Sequence, residues 1–206
     1  MQVLFVHGMG RTPLSGWPLL RRLRQAGLQT HTFSHWVSRH SFAIIVGQLR
    51  QRLAQVAGVG EYVLVGHSLG GVLLREALRT APPTLPAPQR LFLLGSPVQV
   101  SSIAARFGPN PLYRLITRDC GRLLGSVERM EAIGPPGVPV TAIVGVKGWS
   151  LVSALLPREP HDGIVTVSET WAPWLTDVVQ LPVAHMLLPA DARVARAIVD
   201  RLRNRA

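Results

Sequence analysis

Short, wholly apolar runs recur along the chain, and most of them end at a glycine. The first run, Val3 to Val6, leads into His7-Gly8-Met9-Gly10. Apolar runs of this length that end at glycine are typical of buried strands in a parallel sheet. We predict strands at 3–6, 30–33, 62–65, 91–94, 140–144 and 178–183.

The segments between these runs have apolar residues at helical spacing. From Phe42 to Val56, for example, apolar residues fall at intervals of three and four, and the pattern ends near Gly58. We predict helices at 17–26, 42–56, 72–79 and 190–203. Strands that alternate with helices indicate an α/β fold, in which a mostly parallel sheet has helices on both faces.

The segment from Val98 to Pro136 does not fit this alternation. It is too long for one simple crossover, and Gly108-Pro109 and Pro135-Pro136 interrupt it. Insertions above the carboxyl edge of a parallel sheet often shape a binding pocket, so we predict a small cap of two short helices at 98–136. The chain as a whole, 1–206, is predicted to be a single domain, because 206 residues suit one core better than two.

The composition is that of a globular protein with an excess of positive charge. Hydrophobic residues make up 47% and charged residues only 16%, which excludes a disordered chain. The net charge of +11 comes almost entirely from arginine, since Lys147 is the only lysine. The arginines are dispersed, so we expect no nucleic-acid partner and leave contact with an anionic membrane as an open alternative. Four tryptophans are predicted to fill the core or pocket walls: Trp36, Trp149, Trp171 and Trp174.

Cysteine usage and targeting signals favour the cytoplasm. Cys120 is the only cysteine, so no internal disulfide can form, and a packed thiol is the expectation for it. No basic region or cleavage site follows Met1, and no apolar run approaches the roughly 20 residues that span a bilayer. We therefore expect a cytoplasmic protein, with association to a membrane through its charge left open.

A nucleophile motif stands between a predicted strand and a predicted helix. Gly66-His67-Ser68-Leu69-Gly70 matches G-x-S-x-G in the strand-turn-helix context that the motif requires. The glycines let neighbouring backbone pass close by, so that Ser68 projects from a strained turn at the carboxyl edge of the sheet. The motif predicts Ser68 as a catalytic nucleophile.

A serine nucleophile needs a base and an acid that orients the base. In this architecture the acid and then the histidine follow the serine along the chain. Only His161 and His185 lie after Ser68, and His185 stands in a loop after the last predicted strand, at the correct edge. We predict His185 as the base and Asp162 as the acid. Four carboxylates remain as alternatives for the acid: Asp119, Glu159, Glu169 and Asp177.

The remaining site residues follow from the needs of acyl transfer. A tetrahedral intermediate requires preorganised N–H donors, and we assign them to Leu69, after the nucleophile, and Met9, in the loop after the first strand. His7 is interpreted as a brace for that loop and not as a base. Neither a zinc-type cluster nor a nucleotide-binding glycine motif is present, so no metal or cofactor is expected. Apolar residues of the cap are predicted to contact the substrate: Ile103, Phe107, Leu112 and Leu115.

Taken together, these motifs resemble the bacterial lipase and esterase branch of the α/β-hydrolases. The resemblance rests on Phe5–Gly10, Gly66–Gly71, Asp162–Val165 and His185, in that order, with Gly95-Ser96-Pro97 loosely similar to a further segment of that branch. It implies a minimal version of the α/β-hydrolase fold and a cofactor-independent esterase or lipase that acts on a small-molecule or lipid ester through an acyl-enzyme.

Two other interpretations stay open at this point. The same triad serves thioesterases, amidases and acyltransferases, which differ in the bond cleaved or in the acceptor. The fold also occurs in binding or scaffold proteins without catalytic activity. Three well-placed catalytic groups argue against the second interpretation, because a scaffold has no reason to keep all of them.

Overall fold

A six-stranded parallel sheet forms the centre of the computed structural model, which describes residues 1–203. The last three residues of the predicted domain, 204–206, lie outside the described residues. Within the described part, the strands are β1 (Gln2–Val6), β2 (Gln29–Phe33), β3 (Tyr62–His67), β4 (Leu91–Leu94), β5 (Val140–Gly145) and β6 (Asp177–Leu181). They lie side by side in the order β2-β1-β3-β4-β5-β6, and every neighbouring pair is parallel. This confirms the α/β fold class.

Helices cover both faces of the sheet. They are α1 (Trp17–Gln25), α2 (Phe42–Ala57), α3 (Leu69–Arg79), α4 (Ser102–Phe107), α5 (Pro111–Leu124), α6 (Val127–Ile133) and α7 (Ala192–Arg203). Alternate residues of β1 point to opposite faces: Leu4 joins a core with α2 and α3, whereas Val3 joins a core with α1 and α7. Within residues 1–203, no helix is both long enough and apolar enough to cross a membrane.

The parallel arrangement places the ends of the strands where a site can form. The carboxyl ends of all parallel strands meet at one edge of a sheet, and the chain leaves β1, β3, β5 and β6 at that edge. The loops that follow these four strands contain Met9, Ser68, Asp162 and His185. Residues far apart in the sequence therefore come to the same edge.

Several predicted elements differ from the structure. The last strand and the last helix are Asp177–Leu181 and Ala192–Arg203, and not 178–183 and 190–203. Helix α3 begins at Leu69 and not at 72, so Gly70 and Gly71 lie in its first turn. The cap contains three helices, α4, α5 and α6, and not two, because Asn110 and Ser126 each cap the start of a new helix with their side chains. His185 follows β6 at the carboxyl edge, as predicted, and there begins a short 3-10 turn, His185–Ala190.

A place in the core is wrong for three of the four tryptophans, and their alternative place in pocket walls stays a prediction. Trp36, Trp149 and Trp171 are exposed. Trp174 is partly buried against the core, with the guanidinium of Arg75 4.9 Å from the centroid of its ring. Local sequence does not show which way a side chain in a loop points, and all three exposed tryptophans lie outside helices and strands.

We expect Gly70→Ala to destabilise the fold by about 3 kcal/mol or more. A Cβ at Gly70 would lie 2.1 Å from the carbonyl oxygen of Val6 and 2.8 Å from that of His7, and a strand backbone cannot move aside. The matched control is Gly47→Ala in α2, where a Cβ meets nothing within 4 Å. That change should stabilise the protein by roughly 0.5–1 kcal/mol, because alanine favours a helix over glycine. Urea unfolding measures both, and equal effects would contradict the prediction.

Candidate active site

Ser68 lies on a strained turn between β3 and α3. Its backbone has φ 52° and ψ −124°, a left-handed conformation that is costly for any residue with a side chain. The amide of Ser68 donates to the carbonyl oxygen of Leu94 at 2.9 Å. Its own carbonyl accepts a hydrogen bond from the Ser96 hydroxyl at 2.7 Å. Contacts on both sides therefore hold the strained backbone in place.

The glycines around Ser68 allow close approach of neighbouring backbone. A Cβ at Gly66 would lie 2.4 Å from Cα of Gly71, and one at Gly71 would lie 2.3 Å from the Ser96 hydroxyl. A Cβ at Gly8 would lie 3.1 Å from Cβ of Ser68. The loop after β1 therefore passes directly against Ser68.

Asp162 and His185 form a buried hydrogen-bonded pair. The Oδ2 atom of Asp162 lies 2.6 Å from Nδ1 of His185, and both side chains are almost fully buried. The other carboxylate oxygen of Asp162 accepts from the amides of Ile164 and Val165 at 3.0 and 2.8 Å. Because a carboxylate can only accept, Nδ1 of the neutral imidazole carries the proton. The Nε2 atom of His185 is then left as an acceptor.

The end of β4 brings this pair next to the serine. A Cβ at Gly95 would lie 2.8 Å from Oδ2 of Asp162 and 3.1 Å from Nδ1 of His185. The preceding residue, Leu94, accepts the amide hydrogen bond of Ser68. His67, directly before Ser68, also contacts the carbonyl oxygen of His185 through Nε2 at 3.0 Å. Leu94, Gly95 and His67 thus link the backbone at Ser68 to the Asp162–His185 pair. That these three residues, Ser68, Asp162 and His185, act as a triad stays a prediction.

The four alternative acids are engaged elsewhere. Asp119 pairs with Arg129 at 2.9 Å, and Asp177 pairs with Arg201. Glu169 accepts from the amides of Ser102 and Thr166, and Glu159 accepts from the hydroxyl of Ser168. Among the five carboxylates considered, the contact with His185 is made by Asp162.

The two predicted oxyanion donors border the serine. Leu69 is the first residue of α3, and the first amides of a helix have no acceptor within that helix. Met9 follows Gly8, which lies against Ser68. The amides of Leu69 and Met9 thus belong to the two backbone segments that border the serine side chain.

Two stacked histidines brace the loop that contains Met9. The rings of His7 and His35 stack with centroids 4.1 Å apart. The amide of His35 donates to Nε2 of His7 at 3.3 Å, and Nδ1 of His7 donates to the carbonyl oxygen of Gly8 at 2.9 Å. The Nε2 atom of His35 lies 3.0 Å from the carbonyl oxygen of His7. His7 therefore braces the loop after β1, which agrees with the interpretation made from the sequence.

Sequence reasoning gave no role to His35 or His67, and it named Gly95 only within a loosely similar segment. His67 is buried, and burial lowers its pKa well below the ordinary value. It therefore stays neutral and donates from Nε2 to the carbonyl oxygen of His185, 118 residues further along the chain. Gly95 could be found from the sequence, because it ends an apolar strand. The residues next to His35 and His67 do not indicate that their rings contact His7 and the carbonyl oxygen of His185.

The buried histidines make stability depend on pH. Burial, and then the neighbouring His7, lower the pKa of His35 from 6.5 to about 4. In the unfolded chain His35 binds a proton below about pH 6.5, whereas in the folded protein it stays neutral until about pH 4, so acid favours unfolding. We expect His35 alone to lower the free energy of unfolding by about 2 kcal/mol between pH 7.5 and pH 5, and the lowered pKa of His67 acts in the same direction.

Urea unfolding of the wild type and of His35→Gln at these two pH values checks this expectation. Glutamine retains an N–H donor for the carbonyl oxygen of His7 but does not titrate. The variant should therefore lose about 2 kcal/mol less than the wild type on acidification. The same loss in both proteins would show that His35 is not responsible.

The predicted substrate-binding residues lie on two cap helices. Ile103 and Phe107 are partly buried on α4, and the ring of Phe107 lies 6.0 Å from that of Tyr113. Leu112 and Leu115 are 64% and 65% exposed on α5, so no enclosed acyl pocket surrounds them. A role of these four residues in substrate binding remains a prediction.

Together, the parallel sheet, the strained serine after β3 and the acid-histidine pair at the same edge define an α/β-hydrolase fold. Comparison with solved structures shows this fold directly. The chain is similar to the metagenomic carboxyl esterase MGS0156, with a TM-score of 0.78 and 15% identity over 98% of this chain and 76% of that one. It is also similar to the Bacillus licheniformis lipase BlEst2 in its propeptide form, with a TM-score of 0.73 and 16% identity over 98% of this chain.

The chain spans about half of that lipase, 49% of its length. A third similar structure is RedJ, a thioesterase from the prodiginine biosynthetic pathway in Streptomyces coelicolor, with a TM-score of 0.64 and 18% identity over 98% of this chain and 88% of that one. A scan against models of protein families finds no match, and a search of curated proteins finds none either. The chain thus has the α/β-hydrolase fold, at low identity to these solved structures.

Proposed function

We propose that the protein is a serine hydrolase that cleaves carboxylic esters through an acyl-enzyme on Ser68. The observation that carries the proposal is the buried Asp162–His185 pair beside a serine on a strained turn. A serine is a weak nucleophile near neutral pH and needs such a base close by. The lipase, the esterase and the thioesterase among the similar structures support a hydrolytic use of this fold.

In the first half of the reaction, the hydroxyl of Ser68 attacks the ester carbonyl carbon. Nε2 of His185 accepts the hydroxyl proton as the Oγ–C bond forms. Asp162 stays ionised, keeps the proton on Nδ1 and stabilises the imidazolium. The amides of Met9 and Leu69 hold the oxyanion of the tetrahedral intermediate, each donor contributing on the order of 10²–10³ in rate. His185 then donates its proton to the leaving alcohol, and the acyl group remains on Ser68.

In the second half, water takes the place of the alcohol. His185 accepts a proton from the water as the oxygen of the water attacks the acyl carbonyl carbon. The same two amides hold the second oxyanion, and the imidazolium returns the proton to Oγ of Ser68 as the ester bond to the enzyme breaks. The products are a carboxylic acid and the free enzyme, and no step requires a metal or a cofactor.

Thioester hydrolysis is the second candidate, because RedJ is a thioesterase of similar fold. The same groups would act on a thioester, with a thiolate as the leaving group in place of an alkoxide. Amide hydrolysis and acyl transfer to an alcohol also remain open to this set of residues. The choice among these reactions depends on the leaving group and the acceptor.

A matched series of substrates tests the proposal. We expect hydrolysis of p-nitrophenyl esters, from acetate to palmitate, to exceed hydrolysis of thioesters and anilides with the same acyl groups. A fluorophosphonate probe should label Ser68 of the folded protein. A higher kcat/KM on thioesters would favour the second candidate. Folded protein that neither reacts with the probe nor turns over any substrate would overturn the enzyme proposal in favour of a binding role.

A further inference from the structure

A cleft lined by arginines lies apart from the serine. It has a volume of about 630 Å³ and lies between α5 and the segment 39–41 that precedes α2. We refer to Arg39, Arg114, Arg118 and Arg122 and the space between them as the arginine cleft. Neither Ser68 nor Asp162 nor His185 lines this cleft, so it is not the site of bond cleavage.

The charge of the arginine cleft is not neutralised by the protein. Its four guanidinium groups face one lining carboxylate, Asp119, which leaves three positive charges. That carboxylate is itself occupied, since it pairs with Arg129 at 2.9 Å and accepts from the amide of Phe42 at 3.0 Å. Within residues 1–203, Arg114, Arg118 and Arg122 form no ion pair. Guanidinium groups that line one cleft without an ion pair favour a bound anion.

The backbone at Arg118 is strained inside the cleft. With φ 46° and ψ −129°, Arg118 breaks α5 in a left-handed conformation that arginine rarely adopts. Arg118 and Ser68 are the only non-glycine residues with positive φ among those that the structure describes. Strain of this kind persists where the surrounding structure over-determines it, and it concentrates at functional sites.

An exposed apolar face adjoins the arginines. Leu112, Leu115 and Ile116 are 64%, 65% and 55% exposed, and Leu115 also lines the cleft. Thr117, before the break at Arg118, and Cys120, after it, are buried, so both segments of α5 pack against the protein. Leucines interspersed with arginines on one exposed side are typical of helices that lie in the interface of a membrane.

We propose that α5 and the arginine cleft dock on a membrane of anionic phospholipids. The arginines bind the headgroup phosphates, for which the planar guanidinium is well suited. Leu112, Leu115 and Ile116 enter the layer of headgroups and upper acyl chains. A soluble phosphate compound would account for the arginines but not for the exposed apolar residues, whereas a phospholipid accounts for both.

The docking surface lies toward the same edge of the sheet as Ser68. The amide of Arg39, which lines the cleft, donates to the carbonyl oxygen of Trp36. Trp36 is the residue directly after His35. His35 in turn stacks on His7, in the loop that passes against Ser68. A molecule docked through α5 would therefore direct the carboxyl edge of its sheet toward the lipid.

Co-sedimentation with vesicles tests the proposal. The protein should bind vesicles that contain both phosphatidylglycerol and phosphatidylcholine. It should not bind vesicles of phosphatidylcholine alone. The triple variant Arg114→Gln/Arg118→Gly/Arg122→Gln should bind the anionic vesicles roughly a hundredfold more weakly, because each basic residue near an anionic surface contributes about fivefold. Glycine suits the positive φ at 118, so this variant should fold, as a thermal melt can verify.

Two further variants make the test specific. The matched charge control is Arg50→Gln/Arg196→Gln/Arg203→Gln, which removes three exposed arginines from α2 and α7 and should lower binding only a few-fold. The variant Leu112→Ser/Leu115→Ser should also weaken binding, and most clearly in high salt, where charge is screened. Equal losses in the two arginine variants would overturn the proposal in favour of attraction by net charge alone.

A soluble ligand is the other outcome that would overturn it. Calorimetry with glycerol phosphate shows whether the cleft binds a phosphate ester without a membrane. Binding of glycerol phosphate that the cleft variant abolishes, together with no binding to vesicles, would assign the cleft to a soluble compound. All of these measurements record binding and not hydrolysis, so their failure is distinct from failure of the proposed ester hydrolysis.

Discussion

Replacing Ser68 with alanine should lower kcat for ester hydrolysis by about 10⁶-fold while the protein stays folded. The substitution removes the only atom that can form the acyl-enzyme, and His185 then has no hydroxyl to deprotonate. The amides of Met9 and Leu69 remain, so a small residual rate over water is expected. Steady-state kinetics on the best p-nitrophenyl ester, with purified protein, measure the loss.

Ser96→Ala is the matched control for Ser68. Its hydroxyl is close to the site, but it donates to the carbonyl oxygen of Ser68 at 2.7 Å and is not free to attack. Loss of one neutral hydrogen bond should lower activity by about tenfold or less. If Ser68→Ala keeps its activity, the assignment of the nucleophile fails, and a much larger effect at Ser96 would point to that hydroxyl instead.

Replacing Asp162 with asparagine should lower kcat by about 10⁴-fold. Asparagine retains the shape of the side chain, but it does not stabilise the imidazolium, and its NH₂ group can present a donor to Nδ1 of His185. The ring then adopts the tautomer with Nε2 protonated, which cannot accept the proton of Ser68. The measurement is kcat on the same ester over a range of pH.

Asp119→Asn and Asp177→Asn are the controls for Asp162. Both residues were alternatives for the acid, and both are instead paired with arginines on the surface. Both ion pairs are partly exposed, and asparagine keeps an oxygen that accepts from the arginine, so both variants should remain folded and keep activity within a few-fold of the wild type. A large loss in either one, with Asp162→Asn still active, would mean that the acid is assigned wrongly.

The sequence predicted the centre of the fold well because buried parallel strands leave a clear pattern. The strand predicted at 91–94 is β4 at the same four residues, and the helix predicted at 42–56 differs from α2 by one residue. Strands that are buried on both faces must be continuously apolar, and glycine ends them where the chain turns. The contact between Asp162 and His185 was also within reach, because the order of the motifs along the chain constrains it.

Contacts between distant segments were out of reach. Nothing near His67 indicates that its ring reaches the carbonyl oxygen of His185, and nothing near His35 indicates its stack on His7. The break in α5 at Arg118 also has no local signal, because its backbone conformation is one that arginine rarely adopts. Such features arise from how whole elements pack together, and patterns within one element do not record them.

Asp162 and His185 are joined by more than one hydrogen bond, which affects how the site loses activity on denaturation. Besides the side-chain contact, the amide of His185 donates to the carbonyl oxygen of Asp162 at 2.9 Å. Two hydrogen bonds between the same two residues therefore tie the loop after β5 to the loop after β6. A local fluctuation that frees one loop must break both bonds, after which neither loop holds the other. Partial denaturation should therefore switch the site off in a single cooperative step, with no intermediate in which a half-oriented histidine still works.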